Sequence, residues 1–271
     1  MSKKNGIVVL IICMNMIYLV FLFGIKVFGK QDNAIPVISF DKDVVTINVN
    51  ADDSVLLDGV YANDDEDGDI SDMVFVYNIS PFDENKQRTV TYAVFDSHDQ
   101  MSTATRKIAY KNYTAPRFYS NEPLFNLSMK NSSDNSYMKA KSCVDGDISN
   151  KVSVSKVEDN NRIIYKYNVT DSTGTSSSLE ISDEISFKSL YTNIDIELSD
   201  YIVYVKKGST LNYKKYIKSV NTSLGKQNEL IPYIQIETNF NGNVKGQYEV
   251  KYTLNRSNGD YGLSKMIVIV K

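Results

Sequence analysis

Three segments of the chain alternate apolar and polar residues with a period of two. They are Val90–Val94, Ile163–Val169 and Tyr248–Leu254. Because successive side chains of a strand point to opposite faces, this alternation predicts three half-buried β-strands. Other runs rich in apolar and β-branched residues also predict strands, at Val44–Val49, Arg106–Tyr110, Val152–Val157, Tyr201–Val205, Tyr233–Thr238 and Met266–Val270. The body of the protein is therefore predicted to be all-β.

The amino-terminal segment has a different pattern, an almost unbroken apolar run from Ile7 to Phe23 that follows Lys3 and Lys4. Extended to residue 28, a helix of this length reaches ~33 Å against a hydrocarbon core of ~30 Å. We expect residues 1–30 to form a cytoplasmic tip and a single-pass anchor that spans the plasma membrane with residues 7–28. The preceding lysines favour a cytoplasmic amino terminus and an extracytoplasmic body. A cleaved signal peptide is the alternative, although no Ala-x-Ala cleavage site is present.

The body contains internal repeats. Asp67-Gly68-Asp69-Ile70-Ser71 recurs 78 residues later at 145–149, and Tyr92-Ala93-Val94-Phe95-Asp96-Ser97 matches residues 167–172, 75 residues later. A third, degenerate copy keeps the tyrosine-rich strand at residues 246–254 but has no Asp-Gly-Asp. We therefore predict domains at residues 31–114, 115–190 and 191–271, which we call blocks one, two and three.

Composition narrows the function classes. The 271 residues include one histidine, His98, and two cysteines, of which only Cys143 lies beyond the apolar run. So few histidines and cysteines disfavour histidine-dependent catalysis, a zinc site and an intrachain disulfide. After residue 30 the net charge is −7, which disfavours nucleic acid as a partner.

The motif order resembles that of bacterial immunoglobulin-like (Ig-like) repeats of cell-surface proteins. In block one this order is Leu56-Leu57-Asp58-Gly59-Val60-Tyr61-Ala62, the Asp-Gly-Asp-Ile-Ser motif, the tyrosine strand and Arg106-Lys107-Ile108. The resemblance implies three tandem Ig-like β-sandwiches. It also implies that the Asp-Gly-Asp loop and the loop from Asp96 to Asp99 share one pole of the sandwich.

The acidic loops are the strongest candidate for a ligand site. Residues 64–72 contain six acids and no base, and Ca²⁺ prefers several carboxylate and carbonyl oxygens. The candidate ligands are Asp64, Asp65, Asp67, Asp69, Asp96, Asp145, Asp147 and Asp171. The alternative is that these residues accept hydrogen bonds from the backbone of their own turns.

These observations predict a noncatalytic, membrane-anchored cell-surface protein. Its Ig-like domains would serve as a stalk, an adhesion element or a docking module for an envelope or surface protein. No cofactor other than Ca²⁺ is indicated. The alternative function is a module that binds carbohydrate or a cell-wall polymer, which would require aromatic side chains exposed on one sheet.

Overall fold

The computed structural model describes residues 14–20, 34–125, 127, 137–159, 162–184 and 192–271. Residues 14–20 are helical, and the rest of the predicted membrane span lies outside the described residues. Within the described part of the chain, no helix is both long enough and apolar enough to cross a bilayer. The anchor therefore stays a prediction from the sequence.

From residue 34 onwards the described chain consists of strands, turns and short 3-10 helices. Block one contains β1 (Val37–Phe40), β2 (Val44–Asn48), β3 (Val60–Asp64), β4 (Gly68–Asp69), β5 (Phe75–Ile79), β6 (Gln87–Phe95) and β7 (Met101–Lys111). Block two contains β8 (Arg117–Tyr119), β9 (Lys139–Ser142), β10 (Gly146–Asp147), β11 (Ser153–Asp159), β12 (Arg162–Thr170) and β13 (Ser176–Glu184). Block three contains β14 (Asp195–Leu198), β15 (Ile202–Val205), β16 (Ile217–Thr222), β17 (Gly225–Lys226), β18 (Gln235–Thr238), β19 (Gly246–Asn255) and β20 (Tyr261–Val270). The all-β prediction is confirmed.

Each block is built from two sheets. The smaller sheets have the strand orders β1-β3-β4, β10-β9-β8 and β14-β16-β17. The larger sheets have the orders β2-β7-β6-β5, β11-β12-β13 and β15-β20-β19-β18. The 3-10 helices at Ser71–Met73, Ser149–Lys151 and Asn228–Tyr233 stand between the two sheets in sequence. Blocks one and three share this arrangement, and the described part of block two differs in having three strands rather than four in its larger sheet.

The alternating segments are the central strands β6, β12 and β19. In β12, Tyr165, Tyr167 and Val169 are buried while Asn168 is exposed, as the period of two predicts. The outward face of β6 is less polar than expected, because Ala93 is fully buried together with Tyr92 and Val94.

A tyrosine at the same position of each central strand joins the core to the backbone. The Tyr92 hydroxyl donates to the carbonyl of Leu56 at 2.6 Å, and the Tyr252 hydroxyl donates to the carbonyl of Tyr213 at 3.1 Å. In block two the hydroxyls of Tyr167 and Tyr137 lie 2.7 Å apart. A buried hydroxyl needs such a partner, and tyrosine supplies both a large apolar body and the polar tip.

The chain divides into two compact units. The first comprises the described residues of Met1–Val45, Asp53–Ile79 and Val90–Lys107, and the second comprises those of Thr46–Asp52, Ser80–Thr89 and Ile108–Lys271. Blocks two and three thus lie in the same unit, and their buried side chains form one continuous hydrophobic core. The boundaries predicted at residues 114 and 190 stay predictions.

Side chains of block three cover the outer edge of β13. The Gln247 amide accepts from the N–H of Glu180 at 3.1 Å and donates to the carbonyl of Glu180. The Lys265 ammonium donates to the carbonyl of Ser182 at 2.9 Å. An unpaired strand edge invites association with other chains, and these contacts occupy the edge within the same unit.

Tyr165 generates a prediction about alkaline stability. Its hydroxyl is buried without a hydrogen-bond partner, and burial, with a smaller contribution from Asp183, raises the pKa of Tyr165 to about 12. An unfolded tyrosine has a pKa of about 10, so the unfolded state loses its proton first as the pH rises. The stability linked to this group is therefore present below pH ~10 and is lost as the pH rises towards ~12.

We expect Tyr165→Phe to leave the free energy of unfolding at pH 7 unchanged or to raise it by up to about 1 kcal/mol, because no bond is lost. The variant should also lose less stability than the wild type between pH ~10 and ~12. Urea unfolding of the full chain at pH 7 and pH 11 measures both effects. The control is Tyr233→Phe at an exposed position. A variant with the alkaline dependence of the wild type would contradict the prediction.

Candidate functional site

The Asp-Gly-Asp-Ile-Ser motif forms a tight turn followed by a hydrogen-bonded latch. Gly68 adopts a left-handed φ of +74°, which glycine tolerates best. The Ser71 hydroxyl then donates to Asp69 Oδ1 at 2.5 Å and accepts the N–H of Ala62 at 3.0 Å. The motif therefore ties the chain that leaves β4 back to the middle of β3.

Block two repeats the latch. The φ of Gly146 is +73°, the Ser149 hydroxyl donates to Asp147 Oδ1 at 2.5 Å, and it accepts the N–H of Ala140 at 3.1 Å. In both blocks the serine hydroxyl, as the largest contribution, holds the pKa of its aspartate below the usual value.

Block three has the latch without the motif. Gly225 has a φ of +95°, and Asn228 Oδ1 accepts the N–H of Val220 at 3.1 Å. The N–H of Gln227 donates to the carbonyl of Val220, as Ile70 and Ile148 donate to Ala62 and Ala140. Sequence analysis missed this copy; a glycine followed three residues later by a side-chain acceptor was the available signal.

The two loops expected at one pole of the sandwich are in contact. In block one, Asp67 Oδ2 accepts the N–H of Ser97 at 2.7 Å. In block two, Asp145 Oδ2 accepts the N–H of Ser172, also at 2.7 Å. Carboxylates of the first loop therefore hold the second loop in place.

The remaining candidate Ca²⁺ ligands also take part in turns. Asp64 Oδ1 accepts the N–H groups of Glu66 and Asp67, which lower its pKa, and Asp96 Oδ1 accepts those of His98 and Gln100. Among the described residues, no three His, Cys, Asp or Glu side chains lie close enough together to hold a metal ion. The side chain of Asp65 is exposed and belongs to no cluster of three potential metal ligands among the described residues. The Ca²⁺ site stays a prediction.

Asp171 holds the linker to block two. Its Oδ1 accepts the N–H of Thr173 at 2.9 Å, and its Oδ2 accepts the hydroxyls of Tyr113 at 2.9 Å and Ser142 at 3.2 Å. Burial, as the largest cause, raises the pKa of Tyr113. The same pole of block two therefore binds the chain segment that enters it.

Residues 80–89 contact this pole within the second compact unit. The N–H of Phe82 donates to the carbonyl of Thr173 at 2.8 Å, and the Phe82 ring packs edge-on against Tyr113 with centroids 4.9 Å apart. Arg88 is buried and donates to the carbonyls of Ser80 and Ser172 at 2.5 and 3.2 Å. We call the contacts of Phe82, Arg88 and Tyr113 with the Asp171 loop the junction.

A cavity of about 850 Å³ lies beside the junction in the second unit. Its lining includes Arg117, Lys141, Cys143 and Tyr204, and no Asp or Glu of the described residues contributes to it. The guanidinium of Arg117 lies 5.2 Å from the centre of the Tyr204 ring, and the ammonium of Lys271 lies 4.8 Å from it. Arg117 and Lys141 are direct cross-strand partners, an arrangement that like charges disfavour.

Exposed aromatic rings occur on one sheet of block one. Phe75 on β5 and Phe95 on β6 are 40% and 39% exposed, and their rings lie 6.2 Å apart at an interplanar angle of 12°. The central tyrosines, by contrast, are buried. In the described strands, the exposed aromatic residues of one sheet are thus Phe75, Tyr77 and Phe95 of block one, while Tyr233 of block three is exposed outside the strands.

The sequence matches no protein-family model, and no curated protein matches it. Similar solved structures include the M60 catalytic domain with the CBM51-1 and CBM51-2 domains of Clostridium perfringens ZmpB, at 12% identity and a TM-score of 0.24, covering 89% of this chain and 31% of that one. The extracellular domain of protocadherin GammaB4 has 13% identity and a TM-score of 0.20, covering 89% and 50% of the two chains. Drosophila N-cadherin EC1-4 has 14% identity and a TM-score of 0.22, with coverages of 89% and 76%.

The chain thus spans less than two thirds of the length of the first two of these structures. Similarities at this level carry no argument about activity, ligands or partners. The assignment of the all-β fold rests on the strands and sheets of the chain itself.

The latch generates a prediction about stability. Ser149→Ala removes the acceptor of the N–H of Ala140, a residue that is fully buried. An unsatisfied buried donor costs about 1–3 kcal/mol, so the free energy of unfolding should fall by that amount. Urea unfolding of the full chain provides the measurement. Ser155→Ala, at an exposed strand position of the same block, is the matched control and should change stability by less than about 0.5 kcal/mol. Equal effects of the two substitutions would rule out a stabilising latch.

Proposed function

We propose that the protein is a noncatalytic module that displays Ig-like sandwiches outside the membrane as a spacer or docking element. The observation that carries this proposal is the junction. In an Ig-like sandwich the loops at one pole are the usual place for ligand contacts. In block two, Asp171, Ser172 and Thr173 of that pole instead bind Arg88, Phe82 and Tyr113 of the preceding segment.

The use of the acidic side chains supports a role without catalysis. A hydrolase needs a nucleophile and a base whose lone pairs remain available to the substrate. Asp67, Asp69, Asp145 and Asp147 each accept hydrogen bonds from neighbouring loops or serines. Ser97 Oγ and His98 Nδ1 are 3.2 Å apart, but these adjacent residues lie in one exposed turn.

Membrane anchoring is part of the same proposal and rests on the sequence. The predicted span, residues 7–28, follows Lys3 and Lys4, which favours a cytoplasmic amino terminus. The body would then act at the cell surface, where a spacer sets the distance between the membrane and a bound partner.

A spacer must hold its parts at defined separations, so the junction should limit motion. Spin labels at the exposed positions Glu84 and Val157, in the full chain with both cysteines replaced by alanine, report the distance between residues 80–89 and block two within the second unit. We expect a narrow distance distribution in the wild-type junction and a broader one in Arg88→Ala. Tyr113→Phe, which loses only the hydroxyl contacts with Asp171 and Thr173, should broaden it less.

The matched control for this measurement is Tyr110→Phe, since Tyr110 packs against the same Phe82 ring. Circular dichroism verifies that each variant is folded. A broad distance distribution in the wild-type junction would overturn the spacer proposal. The same holds if Arg88→Ala and Tyr113→Phe both leave the distribution unchanged.

A second candidate, the binding of an anionic wall polymer, is favoured by the cavity. Its volume is within the usual range for ligand pockets of ~300–1,000 Å³. The described lining residues include two cations and no acid, although the body of the chain has a net charge of −7. The guanidinium of Arg117 is suited to bidentate recognition of a carboxylate or phosphate.

Cys143 lines the cavity and can report its occupancy. In the full chain with Cys13→Ala, oligogalacturonate should slow the alkylation of Cys143, whereas neutral maltose oligomers should not. Arg117→Gln should weaken this protection about tenfold or more, because a hydrogen bond to a charged group is lost. Arg162→Gln, an exposed arginine of the same block, should leave it unchanged. Equal protection by neutral and acidic oligomers would exclude this candidate.

A further inference from the structure

Blocks one and two differ at one buried position of otherwise equivalent loops. In block two, Ser142 Oγ accepts the N–H groups of Val144 and Asp145. In block one, Asp64 Oδ1 accepts those of Glu66 and Asp67. Asp64 also pairs with Gly68 as Ser142 pairs with Gly146 in the strand register. The two positions are therefore structurally equivalent, and a carboxylate stands in block one where block two has a hydroxyl.

In block two Asp171 lies opposite this position, and block one has Asp96 at the equivalent place of the repeat. Asp171 Oδ1 accepts the N–H of Thr173, and Asp96 Oδ1 accepts that of His98, in turns of the same form. In block two the pair is satisfied, because Ser142 donates to Asp171 Oδ2 at 3.2 Å. In block one the equivalent residues are both carboxylates, and neither can donate a hydrogen bond when ionised.

In block one, both aspartates have a buried carboxylate oxygen without a hydrogen-bond partner. Asp64 is 2% exposed and Asp96 is 4% exposed, and the Oδ2 atom of each is buried without a hydrogen-bond partner. Within the described chain, no salt bridge joins a basic side chain to either residue. Buried carboxylate oxygens without a partner are costly, and each calls for a proton, a water or an ion.

We infer that Asp64 and Asp96 together bind a divalent cation, with Ca²⁺ as the ion of matching chemistry. Two buried carboxylate oxygens without hydrogen-bond partners, on loops that the contact between Asp67 and Ser97 holds together, suit a hard cation. The surrounding loop adds Asp65, Glu66 and Asp67, which make the local potential negative. Block two, which has Ser142 at the equivalent position, does not share this site. The inference is independent of the spacer proposal.

The affinity of this site is set by its small number of carboxylates. Because no three acidic side chains of the described residues converge, carbonyl groups and waters would complete the coordination of six to eight oxygens. Sites of this kind in extracellular modules bind Ca²⁺ with dissociation constants of about 10⁻⁴–10⁻³ M. The site would therefore be filled at millimolar Ca²⁺.

Thermal unfolding of the full chain in detergent, with EGTA or with 10 mM Ca²⁺, tests the inference. At about tenfold excess over the dissociation constant, Ca²⁺ should raise the midpoint of block one by on the order of 5–10 °C. Isothermal titration measures binding directly, and Mg²⁺, which demands a stricter geometry, should bind more weakly.

The decisive variant is Asp64→Ser, which gives block one the pair that block two already has. This variant should be at least as stable as the wild type in EGTA, because its hydroxyl can donate to Asp96, and it should show no response to Ca²⁺. The matched control, Asp65→Asn, removes one negative charge from an exposed position of the same loop and should keep the response. Identical unfolding of the wild type with and without Ca²⁺, or a Ca²⁺ response that survives in Asp64→Ser, would overturn the inference. Neither result alters the distances expected from the junction.

Discussion

The latch fixes the point at which the chain leaves the smaller sheet of each block. Strands β4, β10 and β17 are only two residues long, so they cannot supply backbone partners along the whole of β3, β9 and β16. A side-chain oxygen from Ser71, Ser149 or Asn228 continues the ladder instead. Since a buried N–H without an acceptor is costly, this one oxygen allows the strand to end early without leaving the sheet unsatisfied.

The early end of these strands determines the positions of the loops. After the latch, a 3-10 helix leads the chain to the larger sheet. The residue after the helix is Val74, Val152 or Ile234, and the N–H of each donates to the carbonyl three residues earlier. The turn before the latch then lies beside the loop that follows the central strand. This proximity allows Asp67 and Asp145 to accept the N–H groups of Ser97 and Ser172. A local requirement of one strand thus fixes two loops that are about 30 residues apart in sequence.

The strands and the repeat could be predicted because alternation and short motifs depend on residue type alone. The third latch could not be found by searching for the Asp-Gly-Asp-Ile-Ser motif. Its geometry requires only a residue that tolerates a positive φ and a side-chain acceptor, which Gly225 and Asn228 provide. Two contacts could not be predicted from local patterns because they join residues far apart in sequence. Gln247 contacts Glu180 of β13 across 67 residues, and Arg88 contacts Ser172 across 84 residues. The membrane span, the domain boundaries and Ca²⁺ binding stay predictions.

The repeats show how one loop pair can acquire different uses through single side chains. In block two, Asp171 has donors on both oxygens, from Ser142 and Tyr113 on one and from Thr173 on the other, and the pole serves to hold the linker. In block one the equivalent pair is Asp64 and Asp96, and no described donor reaches their second oxygens. The backbone of the turns is the same, so the difference arises from a hydroxyl replaced by a carboxylate. Where a serine hydroxyl can donate to the neighbouring aspartate, a carboxylate cannot, so the buried oxygens need a cation or a proton instead. The fold that the latch maintains is unchanged by this replacement.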